Sequence, residues 1–282
     1  MKFANDGLIH ANSAPPSCAN FVITKQKESA MSTLKIAIVT GGSRGIGRNT
    51  VLSLSRQGVQ SIFTYNGSKD KAEEVVKEAA EAGVKAIALH LDTGKIGTFD
   101  QFVKEVQEAL KTLGAERFDY LVNNAGTSHH NTIEKTTEEE LDTLYNVHFK
   151  GVFFLTQKLL PVINDGGRII NISSGLTRVS VPQSGPYAAM KGAVEVLTRY
   201  MAKEFGPRKI TVNTVAPGAV QTDFSGGVVR DNPEVNKMVS SMTALGRPGV
   251  PDDLGPMIAS LLSDNNRWVN GQRIEVAGGM VL

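Results

Sequence analysis

Tyr187 and Lys191 stand four residues apart, a spacing that on a helix brings both side chains to one face. The pair suits proton transfer. A free phenol, with a pKa of about 10, is a sluggish acid at neutral pH. A nearby ammonium favours tyrosinate and is expected to lower that pKa. Ser174 lies 13 residues ahead of Tyr187, just after an apolar run, where its hydroxyl can hold a substrate oxygen beside the phenol. Ser173 is the rival for that role, and the separation from Tyr187 favours Ser174. Together these groups could hold and protonate a carbonyl oxygen while a hydride reaches the carbon. A Tyr-x-x-x-Lys pair alone carries little weight, because surface tyrosines often neighbour solvated lysines by chance.

A second constellation supplies the missing reactant. The apolar run 35–40 passes straight into Gly41-Gly42-Ser43-Arg44-Gly45-Ile46-Gly47, and an amphipathic stretch follows. Glycines there permit a tight turn and let backbone amides approach a pyrophosphate, and a helix N-terminus adds roughly half a positive charge. The next apolar run ends Tyr65-Asn66-Gly67-Ser68-Lys69, with no carboxylate before Asp70. An acid at that point would bond the ribose hydroxyls of NAD and repel a 2′-phosphate. An amide, hydroxyls and an ammonium stand there instead, with Arg44 in reach, so NADP is expected rather than NAD. The plainer alternative leaves Lys69 and Arg44 as solvated surface charges.

The elements that must position these groups follow from periodicity. The runs 36–40, 61–65, 86–91, 120–123, 168–173, 211–215 and 273–276 are rich in Val and Ile, and most lack the alternation of a half-solvated sheet. Helical patterns lie between them over 70–82, 99–113, 137–160, 186–205 and 252–263. This alternation predicts an α/β fold, a doubly wound Rossmann-like parallel sheet of about seven strands flanked by helices in one domain, residues 31–282. Residues 1–30 show no periodicity and contain Pro15-Pro16, and they read as an N-terminal extension dispensable for catalysis. The 282 residues are 41% hydrophobic and 21% charged, with a net charge of +2. That balance gives no electrostatic case for nucleic acid or an anionic membrane. No apolar run reaches the roughly 20 residues of a membrane-spanning helix. Cys18 is the single cysteine, so no internal disulfide can form, and a reducing, cytoplasmic setting is expected.

Taken together, Thr40-Gly41-x-x-x-Gly45-Ile46-Gly47, Asn123-Asn124-Ala125-Gly126, Ser174, Tyr187-x-x-x-Lys191, Pro217-Gly218 and the ending Gly278-Gly279 resemble the short-chain dehydrogenase/reductase family. The resemblance covers about residues 34–282. It implies a seven-stranded single domain, commonly a homotetramer or dimer. It also implies further roles. Asp92, with Thr93 beside it, would bond the adenine amino group, although a capping aspartate is an equal alternative. Asn146 would complete a tetrad with Ser174, Tyr187 and Lys191 by holding a proton-relay water, with His148 the less favoured acid. Asn123, Ala125 and Gly126 would lie against the ribose and nicotinamide, and Asn123 could tie neighbouring strand ends. Pro217 and Gly218, the backbone of Val220 and the hydroxyl of Thr222 would hold the carboxamide. The Lys191 ammonium could bond the nicotinamide ribose. Ala277 departs from the family, where aspartate is frequent.

Residues 223–245 follow the cofactor site, and Gly226-Gly227 could hinge a lid there. Phe224, Val228, Val229, Met238 and Met242 line an apolar pocket or simply pack on the core. Arg178 meets an anionic substrate or faces water. The expected activity is reduction of a small-molecule ketone or aldehyde, with 3-oxoacyl thioesters as a subtype. A nucleotide-binding scaffold without turnover is the alternative from another class. No metal-ligand cluster competes for the site.

Overall fold

The computed structural model describes residues 34–282. The expected extension over 1–30, and Cys18 within it, lie outside the described residues. Strands are separated by helices along the chain. β1 (Ile36–Val39) leads to α1 (Gly45–Arg56), β2 (Gln60–Tyr65) to α2 (Lys69–Glu81), and β3 (Ala86–His90) to α3 (Phe99–Thr112). β4 (Phe118–Asn123) follows, then α4 (Glu138–Tyr145) and α5 (Gly151–Leu159), β5 (Ile163–Ile172), α6 (Gly185–Glu204) and β6 (Thr211–Pro217). The short α7 (Val228–Asp231), α8 (Pro233–Met242) and α9 (Pro251–Leu261) precede β7 (Arg273–Val276).

The strands form one seven-stranded sheet in the order β3-β2-β1-β4-β5-β6-β7, and every neighbouring pair is parallel. Parallel pairing forces each crossover through a helix, and successive side chains go to opposite faces. Ile36 and Ile38 of β1 therefore join Phe99 and Phe102 of α3 in one core. Ala37 and Val39 join Val51 and Leu54 of α1 and Ile258 of α9 in the other. The strand order reverses between β1 and β4, and the crevice beyond the carboxyl ends of those strands is where a doubly wound sheet receives its ligand.

Two expected elements differ. The helix expected over 137–160 starts on a capping box of Thr137 with Glu140, but a π turn at Asn146–Lys150 divides it. The Gly151 amide donates to the Asn146 carbonyl to close that turn. A Cβ at Gly151 would sit 2.3 Å from the Thr93 carbonyl oxygen, so only glycine lets this helix lie against the loop after β3. The strand expected to begin at 168 begins at Ile163, because Phe118 of β4 pairs with Ile163 across a register shift.

Candidate active site

The cleft at the β1/β4 crevice has a volume of about 500 Å³. Its floor is the glycine loop. Gly41 and Gly45 adopt φ of +66° and +57°, values that side chains other than glycine rarely tolerate. The Gly41 amide donates to the Thr64 hydroxyl of β2. α1 starts with no side-chain cap and no acid in its first turn, so its N-terminal amides and dipole are available to an anion. Gly41, Ser43, Arg44, Gly45 and Ile46 all line the cleft. Gly47 does not. Its role is close packing, since a Cβ there would fall 2.1 Å from the Gly41 carbonyl oxygen.

The end of β2 contributes Tyr65, Asn66 and Ser68 to the cleft wall. Lys69 does not line the cleft; its ammonium lies 3.7 Å from Glu73, one turn along α2, and stays largely exposed. Arg44 does line it and stands 3.8 Å from Asp223 of the opposite wall. No carboxylate stands at the β2 end, and the pyrophosphate-sized glycine turn opens beside it. These residues fit a dinucleotide carrying a 2′-phosphate. Asp92 and Thr93 line the neighbouring stretch, and Asp92 also accepts the Gly94 amide, so it caps a turn while facing the cleft.

Asn123 and Asn124 divide the work expected of Asn123 alone. Asn123 is buried and donates to Asn171 of β5 and Thr156 of α5. It ties strand to strand and helix but does not reach the cleft. Asn124, quoted in the motif but given no role there, lines it. Its amide donates to the carbonyls of Thr40 and Gly41, locking the loop after β4 to the glycine turn. Ala125 and Gly126 line the cleft beside it. Pro217, Gly218, Val220 and Thr222 face it from the end of β6.

Ser174, Tyr187 and Lys191 converge on this wall. The choice between the serines is geometric. Ser173 spends its hydroxyl on Glu195 at 2.7 Å, whereas Ser174 accepts the Leu176 amide and favours the ionised form of the Tyr187 phenol. Burial raises the phenol above its usual range, opposed by Ser174. Burial also brings the Lys191 ammonium down to about 7. Lys191 donates to the Ile172 carbonyl at 2.7 Å, and its nitrogen lies 5.7 Å from the Tyr187 ring centre. The expected lowering of the phenol by this ammonium is therefore not found; burial raises it and only Ser174 opposes.

Asn146 is not among the residues lining the cleft. Past the π turn's start, the helix presents Val147 and His148 instead. His148 is 1% exposed and meets Tyr187 edge to face, with centroids 5.1 Å apart. Helical spacing alone could not distinguish Asn146 from His148, because a π turn adds a residue and rotates the face that follows.

The segment expected to hinge a lid follows the end of β6. Ser225, Gly226 and Gly227 all have positive φ, followed by α7 and α8. Phe224, Val229, Met238 and Met242 line the cleft, and Phe224 lies 6.0 Å from Tyr187 between ring centres. Val228 does not line it. Arg178 neither meets the cleft nor faces water freely: it is held by Glu275 and by the carbonyls of Met280 and Val281. Among the described residues no cluster of potential metal ligands is found, and no helix is long and apolar enough to cross a membrane.

Comparison with known proteins agrees with this architecture. A family profile described as enoyl-(acyl carrier protein) reductase matches residues 41–281. The hydroxynaphthalene reductase-like protein Arp2 of Metarhizium brunneum is 37% identical over 258 residues, which span 88% of this chain and 95% of its own. Among solved structures, the promiscuous reductase LugOII, described as catalysing keto-reduction at C1 during lugdunomycin biosynthesis, superposes with a TM-score of 0.84. It is 38% identical over 88% of this chain and 98% of its own. The angucycline C-6 ketoreductase LanV with bound NADP gives a TM-score of 0.83 at 36% identity, over 88% of this chain and 95% of its own. LanV has also been solved with NADP and rabelomycin together, and that structure gives a TM-score of 0.80 at 35% identity over 88% and 96%.

Proposed function

The chain belongs to the short-chain dehydrogenase/reductase family, and from that premise we propose that it is an NADPH-dependent ketoreductase in which Tyr187 is the general acid. The observation that carries this reading is the convergence of Ser174, Tyr187 and Lys191 on the cleft that the glycine loop floors, with Ser173 occupied elsewhere. The reduced nicotinamide, when bound, supplies the hydride. The protein's own residues do the rest. Ser174 holds the carbonyl oxygen, Tyr187 donates its hydroxyl proton to it, and Lys191 returns a proton to the phenolate. A phenol held above its usual range stays protonated at neutral pH, which suits a donor in the reducing direction.

NADP is favoured over NAD by the missing acid at the β2 end and by Arg44 in the cleft. LanV bound to NADP supports the same choice. A polycyclic aromatic ketone is the favoured substrate class. The lid offers Phe224, Val229, Met238 and Met242 as apolar walls, and the relatives are a hydroxynaphthalene reductase-like protein and a ketoreductase seen with rabelomycin. A scaffold without turnover would have no need to bury Tyr187 and Lys191 against Ser174. The test is NADPH consumption with a panel of aromatic ketones, aliphatic ketones, aldehydes and 3-oxoacyl thioesters. Turnover of aromatic ketones is expected; cofactor binding without turnover of any of them would refute it. The reading includes association of copies of this chain as a homotetramer or dimer. A monomeric mass in solution would overturn that.

A further inference from the structure

His148 has one nitrogen accounted for and one not. Nε2 lies 2.7 Å from the Thr127 carbonyl oxygen. A carbonyl only accepts, so Nε2 carries the hydrogen and Nδ1 is left as a lone-pair acceptor. The weaker approach of the Thr127 amide to Nε2, at 3.4 Å, cannot coexist with that hydrogen and yields to the shorter bond. Nδ1 is buried and has no hydrogen-bond partner among the described residues. Buried polar atoms in folded proteins almost always have one, protein or water.

The surroundings of Nδ1 point to what it holds. The ring stands edge to face with Tyr187 and feels the charge of Lys191. Both neighbours belong to α6, and the loop after β4 closes the other side with Thr127 and Gly126. A Cβ at Gly126 would sit 2.9 Å from Cε1 and 3.6 Å from Nδ1, so only glycine fits between this ring edge and the cleft that Gly126 lines. The imidazole stays neutral here, since burial and Lys191 both disfavour its cation.

We propose that His148 is a positioning residue on the proton route of this site, its Nδ1 accepting a hydrogen bond from the water that re-supplies Lys191. The inference rests on the ketoreductase reading. In each reduction one hydride goes to the carbonyl carbon and the Tyr187 proton goes to the carbonyl oxygen. The phenolate takes one proton from the Lys191 ammonium, and Lys191 takes one from solvent through that water. His148 gains and loses none. The relay asparagine expected at Asn146 is thus replaced by an imidazole that reaches the cleft.

Two substitutions separate an acceptor from a packing ring. His148→Phe keeps an aromatic edge against Tyr187 and removes the acceptor. His148→Asn removes the ring and keeps an acceptor. His148→Phe is expected to lower kcat by about tenfold or more, less than loss of the acid itself, to raise the solvent deuterium isotope effect, and to leave the Kd for NADPH unchanged. His148→Asn is expected to retain most of kcat and a solvent isotope effect like that of the unsubstituted protein. The opposite ranking, with Phe active and Asn crippled, overturns the proposal. Nitrogen NMR of isotope-labelled protein gives an independent readout: protonated Nε2 with hydrogen-bonded, unprotonated Nδ1 is expected, and a protonated Nδ1 overturns it. If the unsubstituted protein turns over no ketone, the ketoreductase reading fails, and the nitrogen spectrum still decides the state of His148.

Discussion

The Lys191 ammonium donates to the carbonyl oxygen of Ile172 at 2.7 Å, so the sheet and not the phenol is its direct partner. Its burial has a cost that depends on pH. The group falls from an ordinary 10.5 to about 7, so between those values the unfolded chain binds the extra proton and the native state does not. Stability therefore rises with pH across that window, and the penalty is complete below about 7. Lys191→Met is expected to raise the melting temperature at pH 6, with the gain shrinking toward pH 10, while ketone reduction collapses. Thermal melts across pH check the first part; a gain that grows with pH contradicts it.

Tyr187→Phe removes the proton donor but keeps the ring that packs on His148 and Phe224. We expect kcat to fall by about a hundredfold to ten-thousandfold with little change in NADPH affinity. Near-normal turnover in this variant would remove the phenol from the mechanism.

The paired serines give a contrast. Ser174→Ala is expected to lower kcat/KM sharply at unchanged stability. Ser173→Ala takes one donor from Glu195, which Thr177 and Arg273 still satisfy. It is expected to cost about 1 kcal/mol of stability and leave kcat near normal. Chemical denaturation beside steady-state kinetics separates the two.

Asp223 gathers three cations: Arg230 at 2.6 Å, Lys71 at 3.0 Å and Arg44 at 3.8 Å. Arg230 and Lys71 hold its carboxyl down at about 2, so it is ionised at any working pH. It draws on the same Arg44 that a 2′-phosphate would use. Asp223→Asn is expected to tighten NADPH relative to NADH, and Arg44→Ala to weaken NADPH by about tenfold while sparing NADH, the scale of one charge-assisted phosphate contact. Calorimetric titration of both cofactors measures the ratio; equal effects on the two would place Arg44 away from the phosphate.

Gly47 tests the loop. Its Cβ would press on the Gly41 carbonyl at 2.1 Å and on the Asn124 amide at 2.5 Å. Gly47→Ala is expected to displace the turn, abolish NADPH binding and lower the melting temperature. Intact binding would show that the loop can move.

Periodicity carried the parallel fold, residue types carried the glycine turn and the missing acid after β2, and spacing offered Ser174, Tyr187 and Lys191, which the family resemblance joined into one set. These rest on local chemistry: apolar runs need a buried sheet, and a four-residue step needs only one regular helix such as α6. Which asparagine faces the cleft, which serine is free and which helical side chain meets Tyr187 were decided by tertiary structure. Asn123 turns away from the cleft because Asn171 of β5 and Thr156 of α5 accept its amide. Ser173 is taken by Glu195, 22 residues further along. His148 and not Asn146 meets Tyr187, at a π turn that the Gly151 amide closes on the Asn146 carbonyl and that packs on the Thr93 carbonyl. Each outcome depends on a partner distant in the chain, and residue spacing holds no record of such partners.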